Sequence, residues 1–165
     1  MTFLPAQAVF DTRLDELTVA RVQFMEAFVR LEAAITALLI LHKPDFELRS
    51  HFAVKLKAIA SLKSPQITPK AATRFIALMS EISTLTSIRN DMVHGIMSHV
   101  VHDGTAKAAF QNVADIAVTR PQFTIVSCDE MKANRKRILE IANAIKMFAN
   151  PPSPPQPSPD AAVGP

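Results

Sequence analysis

No glycine or proline occurs between Thr12 and His42, and through that stretch the apolar residues recur with the 3.6-residue period of an α-helix. Leu17, Phe24, Phe28, Leu31, Ile35, Leu38 and Leu39 fall on one stripe. At about 1.5 Å per residue this predicts a helix about 45 Å long, and its stripe has to be covered by other elements. Thr12, with Asp15 three residues on, serves as the expected N-cap. Pro44 ends the run, because the residue before a proline disfavours the α region.

Three further helices are expected. One runs from about Phe46 to Leu62 with Asp45 as N-cap, and Leu48, Phe52, Leu56, Ile59 and Leu62 share a face. Lys57 points away from that face, whereas Lys55 falls near it and would have to snorkel. The next begins at Thr68 with Pro69 in the first helical position, a favourable pair. Its stripe is Phe75, Leu78, Met79, Ile82 and Leu85. The last opens on Ser127-Cys128-Asp129-Glu130, a capping box in which hydroxyl and carboxylate each satisfy a backbone N–H. Met131, Ile138, Ile141, Ile145 and Phe148 continue to about Ala149.

Residues 96–126 break the helical period. Asp103-Gly104 predicts a two-residue hairpin turn, since a type I′ turn needs positive φ at both positions. A helix over 105–117 is the alternative for the returning arm. Phe123-Thr124-Ile125-Val126 reads as an extended entry into the last helix. The expected fold is therefore all-α: a four-helix, up-and-down-type bundle with a small β-hairpin insertion after the third helix. Residues 1–11 are expected as an N-terminal arm and 12–149 as the helical domain. Residues 150–165 hold seven of the 12 prolines and are expected as a disordered, polyproline-like tail.

Composition excludes several classes. The single cysteine, Cys128, rules out a disulfide scaffold. The most apolar stretch, 33–41, is far short of the roughly 20 residues that a membrane span needs. Residues 1–10 carry neither a basic region nor a long apolar run, so no signal peptide is expected and the cytoplasm is the default compartment. The net charge of +3 names no partner, but residues 43–74 carry seven basic and two acidic side chains. Lys55, Lys57 and Lys63 in that segment are candidates for steering a polyanion such as RNA. A solvated lysine-rich surface is the plainer explanation.

The segment that carries chemistry is Arg89-Asn90-Asp91-Met92-Val93-His94-Gly95, at the end of the third helix. A permanent cation there stands near a group that titrates around neutrality. Arginine can hold a phosphate bidentately, and histidine can move a proton to or from an oxygen. Five residues turn a straight helix by roughly 140° net. Arg89 and His94 are thus expected to converge only through a distortion near Gly95 or across a symmetric interface. The structural alternative has Arg89 snorkelling or paired, and His94 favoured by the helix dipole. His94, His99 and His102 with Asp91 and Asp103 match no metal spacing, so no metal or cofactor is expected.

The run Arg-Asn-x-x-x-His-Gly at the end of a long helix resembles the HEPN superfamily, whose motif is an Arg followed after four to six residues by a His. Arg89, Asn90 and His94 match it position by position, and Gly95 suits bacterial members. The resemblance implies a homodimeric, metal-independent endoribonuclease with the two motifs facing one another. It implies that His94 activates the 2′-hydroxyl or protonates the departing 5′-oxygen, that Arg89 holds the scissile phosphate, and that Asn90 orients one of them. The products would be 2′,3′-cyclic phosphate and 5′-hydroxyl ends. Many such proteins are toxins with an antitoxin partner, or phage-defence effectors. The alternative is a non-catalytic helical dimer that binds a nucleotide or a partner protein.

Overall fold

The computed structural model describes residues 6–62, 69–112 and 123–149. The element order is α1 (Ala6–His42), α2 (Phe52–Ala60), α3 (Pro69–His94), β1 (Gly95–His102), β2 (Thr105–Asn112), β3 (Phe123–Ser127) and α4 (Cys128–Ala149). All seven stripe residues of α1 are buried, as are Ala20, Ala27 and Ala34 between them. The most extensive packing in the molecule is between α1 and α4. Met131, Ile138, Ile141, Ala142 and Ile145 are the buried side chains of α4. The capping box forms as expected: the Ser127 N–H donates to Glu130 Oε2 at 2.7 Å, and the Glu130 N–H donates to Ser127 Oγ at 3.1 Å. That contact with the Ser127 backbone and hydroxyl holds the Glu130 carboxyl below its ordinary pKa.

The all-α expectation is overturned. The chain folds as four helices beside a three-stranded antiparallel sheet in the order β1-β2-β3. The predicted hairpin is present, with Asp103 at φ 53° and Gly104 at φ 70°, as a type I′ turn requires. The residues read as an extended entry into α4 are a third strand, with Gln111 opposite Phe123 and Lys107 opposite Ser127. Strand β2 is thereby central, and Ala108, Ala109 and Phe110 are all buried. A strand covered on both faces loses the alternation of a half-buried one, which is why the returning arm alternates poorly in sequence. Nor are the four helices equal bundle members, since α2 is a short helix of 9 residues.

Helix boundaries also differ. Helix α1 starts at Ala6, so residues 6–11, expected as an arm, are helical and Thr12 lies inside the helix. Helix α2 starts at Phe52, with His51 and not Asp45 in the N-cap position. Before it the chain makes two turns, Phe46 N–H to Lys43 O at 2.9 Å and Ser50 N–H to Glu47 O at 3.1 Å. Leu48 is exposed there, so Phe52 is the first residue of that stripe to be buried, although Phe46 in the preceding turn also packs on the core. Phe52 packs edge-on against Phe28 at 6.0 Å between ring centroids and docks α2 on α1. Pro69 opens α3 as expected, and Phe75 meets Phe148 of α4 edge-on at 5.3 Å. Thr68, Lys63 and the proline-rich residues 150–165 lie outside the described residues. Among the described residues no helix is long and apolar enough to cross a membrane.

Candidate functional site

Helix α3 remains helical through His94, and β1 begins at the next residue with no intervening loop. Gly95 makes this junction possible. A Cβ at that position would collide with the Asp91 carbonyl oxygen and lie 3.1 Å from the Gln111 carbonyl of β2. Two other elements hold the end of the helix. Arg21 of α1 donates a hydrogen bond to the Met92 carbonyl and lies over the Phe110 ring at 5.6 Å from its centroid. A cation at a helix C-terminus complements the helix dipole. From β3, Thr124 Oγ1 donates to Asp91 Oδ2 at 2.6 Å. Met92 is fully buried between these ties.

The clamped last turns of α3 form one wall of a cleft of about 390 Å³. Thr86, Arg89, Asn90 and His94 line it from α3, and Glu32 lines it from α1. Arg49, Ser50 and His51 from the α1–α2 connection and Phe52 and Ala53 from α2 complete it. Arg89 and His94 therefore reach the same space without distortion of the helix. At about 100° per residue, Thr86 and Asn90 lie between them on the wheel, so the pair brackets one broad face. Arg89 Nη1 donates to Asn90 Oδ1 at 3.1 Å. Arg89 is half-buried, while Asn90 and His94 are exposed to the cleft. Among the described residues Arg89 has no carboxylate partner.

Of the steering lysines, Lys55 and Lys57 are not brought together, and Lys63 lies outside the described residues. Lys55 does not snorkel; it is buried, and its Nζ lies 2.7 Å from Glu32 Oε1. This pair occupies Lys55 and also offsets Glu32, the one carboxylate lining the cleft among the described residues, where Arg49 and Arg89 have no carboxylate partner. Lys57 is exposed on the other face of α2. His99 and His102 are on β1, away from the cleft lining, and His102 Nδ1 lies 2.8 Å from Asp103. Among the described residues no group of three or more His, Cys, Asp or Glu side chains could hold a metal ion.

Sequence reasoning missed Glu32, Arg49 and His51 as cleft residues. Arg49 does lie within the basic segment 43–74, but nothing local links it to a motif forty residues later. No family model, curated protein or solved structure matches the chain.

Proposed function

We propose that the protein is a metal-independent endoribonuclease of the HEPN type, acting in the cytoplasm as a toxin or phage-defence effector. The observation that carries this reading is the meeting of Arg89, Asn90 and His94 in one polar cleft whose carboxylate among the described residues, Glu32, is already paired. Arg89 holds the scissile phosphate and stabilises the charge that develops on it. Asn90, bonded to the guanidinium, orients Arg89. His94 transfers a proton to or from a reacting oxygen. The 2′-oxygen attacks phosphorus, the 5′-oxygen leaves, and a 2′,3′-cyclic phosphate results. An antitoxin is the expected regulatory partner.

A homodimer is part of the same proposal. It is supported by the outward valines of α1, with Val19 at 53%, Val22 at 54% and Val29 at 68% exposure. These valines share one face of α1 with the exposed Glu26, and exposed apolar side chains on one helix face favour association with a second copy. Light scattering at micromolar concentration should give twice the chain mass; a monomer would remove this part.

The test of activity is cleavage of a mixed RNA in EDTA. Wild type should produce cyclic phosphate ends and leave DNA intact, and His94→Ala should abolish cutting without lowering the melting temperature. Cleavage that requires a divalent metal, or a His94→Ala variant as active as wild type, would sink the reading. A cleft of this volume also falls in the range of small-ligand pockets, about 300–1,000 Å³. That favours, as second reading, a module that holds a nucleotide without cutting it, and equilibrium binding of a mononucleotide in the absence of cleavage would establish it.

A further inference from the structure

The Arg89–His94 cleft contains a second arginine and a second histidine from a distant part of the same chain. The two turns after α1 bring Arg49 and His51 to it, and both side chains are exposed. Among the described residues neither is committed elsewhere. Among the described residues Arg49 has no carboxylate partner. His51 occupies the N-cap position of α2 but makes no side-chain hydrogen bond to the helix. The other charged groups around the cleft are Glu32 from α1, bound to Lys55 of α2, and Arg89 from α3.

We infer that Arg49 and His51 complete the site within one protomer: the two arginines grip an RNA phosphodiester, and His51 and His94 divide the acid and base roles. The inference rests on the ribonuclease reading. One neutral imidazole takes the proton from the 2′-hydroxyl as the 2′-oxygen bonds to phosphorus. The bond from phosphorus to the 5′-oxygen breaks, and the other histidine, protonated, gives its proton to that oxygen. One ring has gained a proton and the other has lost one. Exchange with water restores both, and nothing is oxidised or reduced. Arg49 and Arg89 offer guanidinium forks to the non-bridging oxygens, whose charge rises as the new bond forms.

This assignment separates from the parent reading by experiment. A 2′-O-methyl oligoribonucleotide, which lacks the nucleophilic hydroxyl, serves as the binding probe. Arg49→Ala should weaken its binding about tenfold, and so should Arg89→Ala. With cleavable RNA, wild type should show a bell-shaped pH profile of kcat, with one limb from each histidine. His51→Ala should lower kcat by about 10²-fold and erase one limb, which a merely structural role would not do. If Arg49→Ala and His51→Ala bind and cut as wild type while His94→Ala is dead, this inference falls and the ribonuclease reading stands. If wild type cuts no RNA at any pH, the ribonuclease reading falls and takes the acid–base pairing with it.

Discussion

Arg137 of α4 and Arg89 of α3 stand on helices that pack together, yet their surroundings are opposite in kind. Arg137 Nη2 donates to Glu81 Oε2 at 2.7 Å, and its Nη1 donates to Glu140 Oε2 at 3.0 Å. Its hydrogen bonds to Glu81 and then Glu140 hold the guanidinium above its ordinary pKa, and the bond to Glu81 holds that carboxyl below its own. Among the described residues Arg89 has only a neutral amide, Asn90, in hydrogen-bonding distance. One arginine joins two helices with its charge already compensated. The other has no carboxylate partner among the described residues. Partnering, more than exposure, separates a structural arginine from one available to a ligand, since both are partly accessible.

Of changes to the two arginines and the contacts that support them, removing the Arg89 charge should have the largest effect. Arg89→Ala should reduce RNA cleavage by about 10²–10³-fold, the usual loss for one donor to a developing oxyanion. Its melting temperature should stay within a degree or two of wild type. A large drop in melting temperature would mean that Arg89 is structural after all and erase the contrast.

The junction behind the site comes next. Gly95→Ala places a methyl group against the Asp91 and Gln111 carbonyls and should cost about 1–3 kcal/mol, the range for overpacking. Activity should fall with it, because the end of α3 must shift. Lys55→Ala should cost about 1 kcal/mol, because the Glu32 carboxylate that loses its partner is part-exposed to water. It should also weaken RNA binding, through the bared carboxylate in the cleft and not through lost steering. Denaturant titration reads both variants, and an unchanged midpoint for either would contradict the contacts described.

Arg137→Ala should do the reverse of Arg89→Ala. It should lower stability by about 1 kcal/mol or less, as expected of a solvent-screened pair, and leave cleavage unchanged. Its pH dependence is the smallest and most discriminating effect. Because the folded pKa of Glu81 is depressed below 4.5, the stabilisation from the pair is full above that value and is lost as pH falls through the folded pKa. Melting curves of wild type and Arg137→Ala should therefore converge in acid, whereas wild type and Arg89→Ala should show no such convergence.

The elements legible in the sequence are those whose partners lie a few residues away. The α1 stripe, Pro69, the Ser127–Glu130 box and the Asp103-Gly104 turn each state their geometry within one or two turns of chain. The run from Arg89 to His94 was legible as a candidate for the same reason, down to the Asn90 beside the arginine. The start of α2 was not. Asp45 is a good cap by type, but Leu48 has no surface to bury against, and burial outweighs a cap worth about 1 kcal/mol.

What the sequence alone determined is local: where the long helices run, where the chain turns tightly, and which side chains could do chemistry. Tertiary structure decided the rest. It made residues 123–127 a strand, because β2 offered an open edge whose N–H and C=O groups needed partners. It turned Lys55 from a surface charge into the partner of Glu32 across 23 residues of chain. It also set Arg49 and His51 beside a motif forty residues away. Hydrogen bonds and ion pairs of this range depend on how helices dock, and docking is driven by apolar burial that has no direction of its own. A periodic stripe therefore tells that a face will be covered, while the covering element, and the polar groups it carries to the rim of a cleft, follow only from the packed chain.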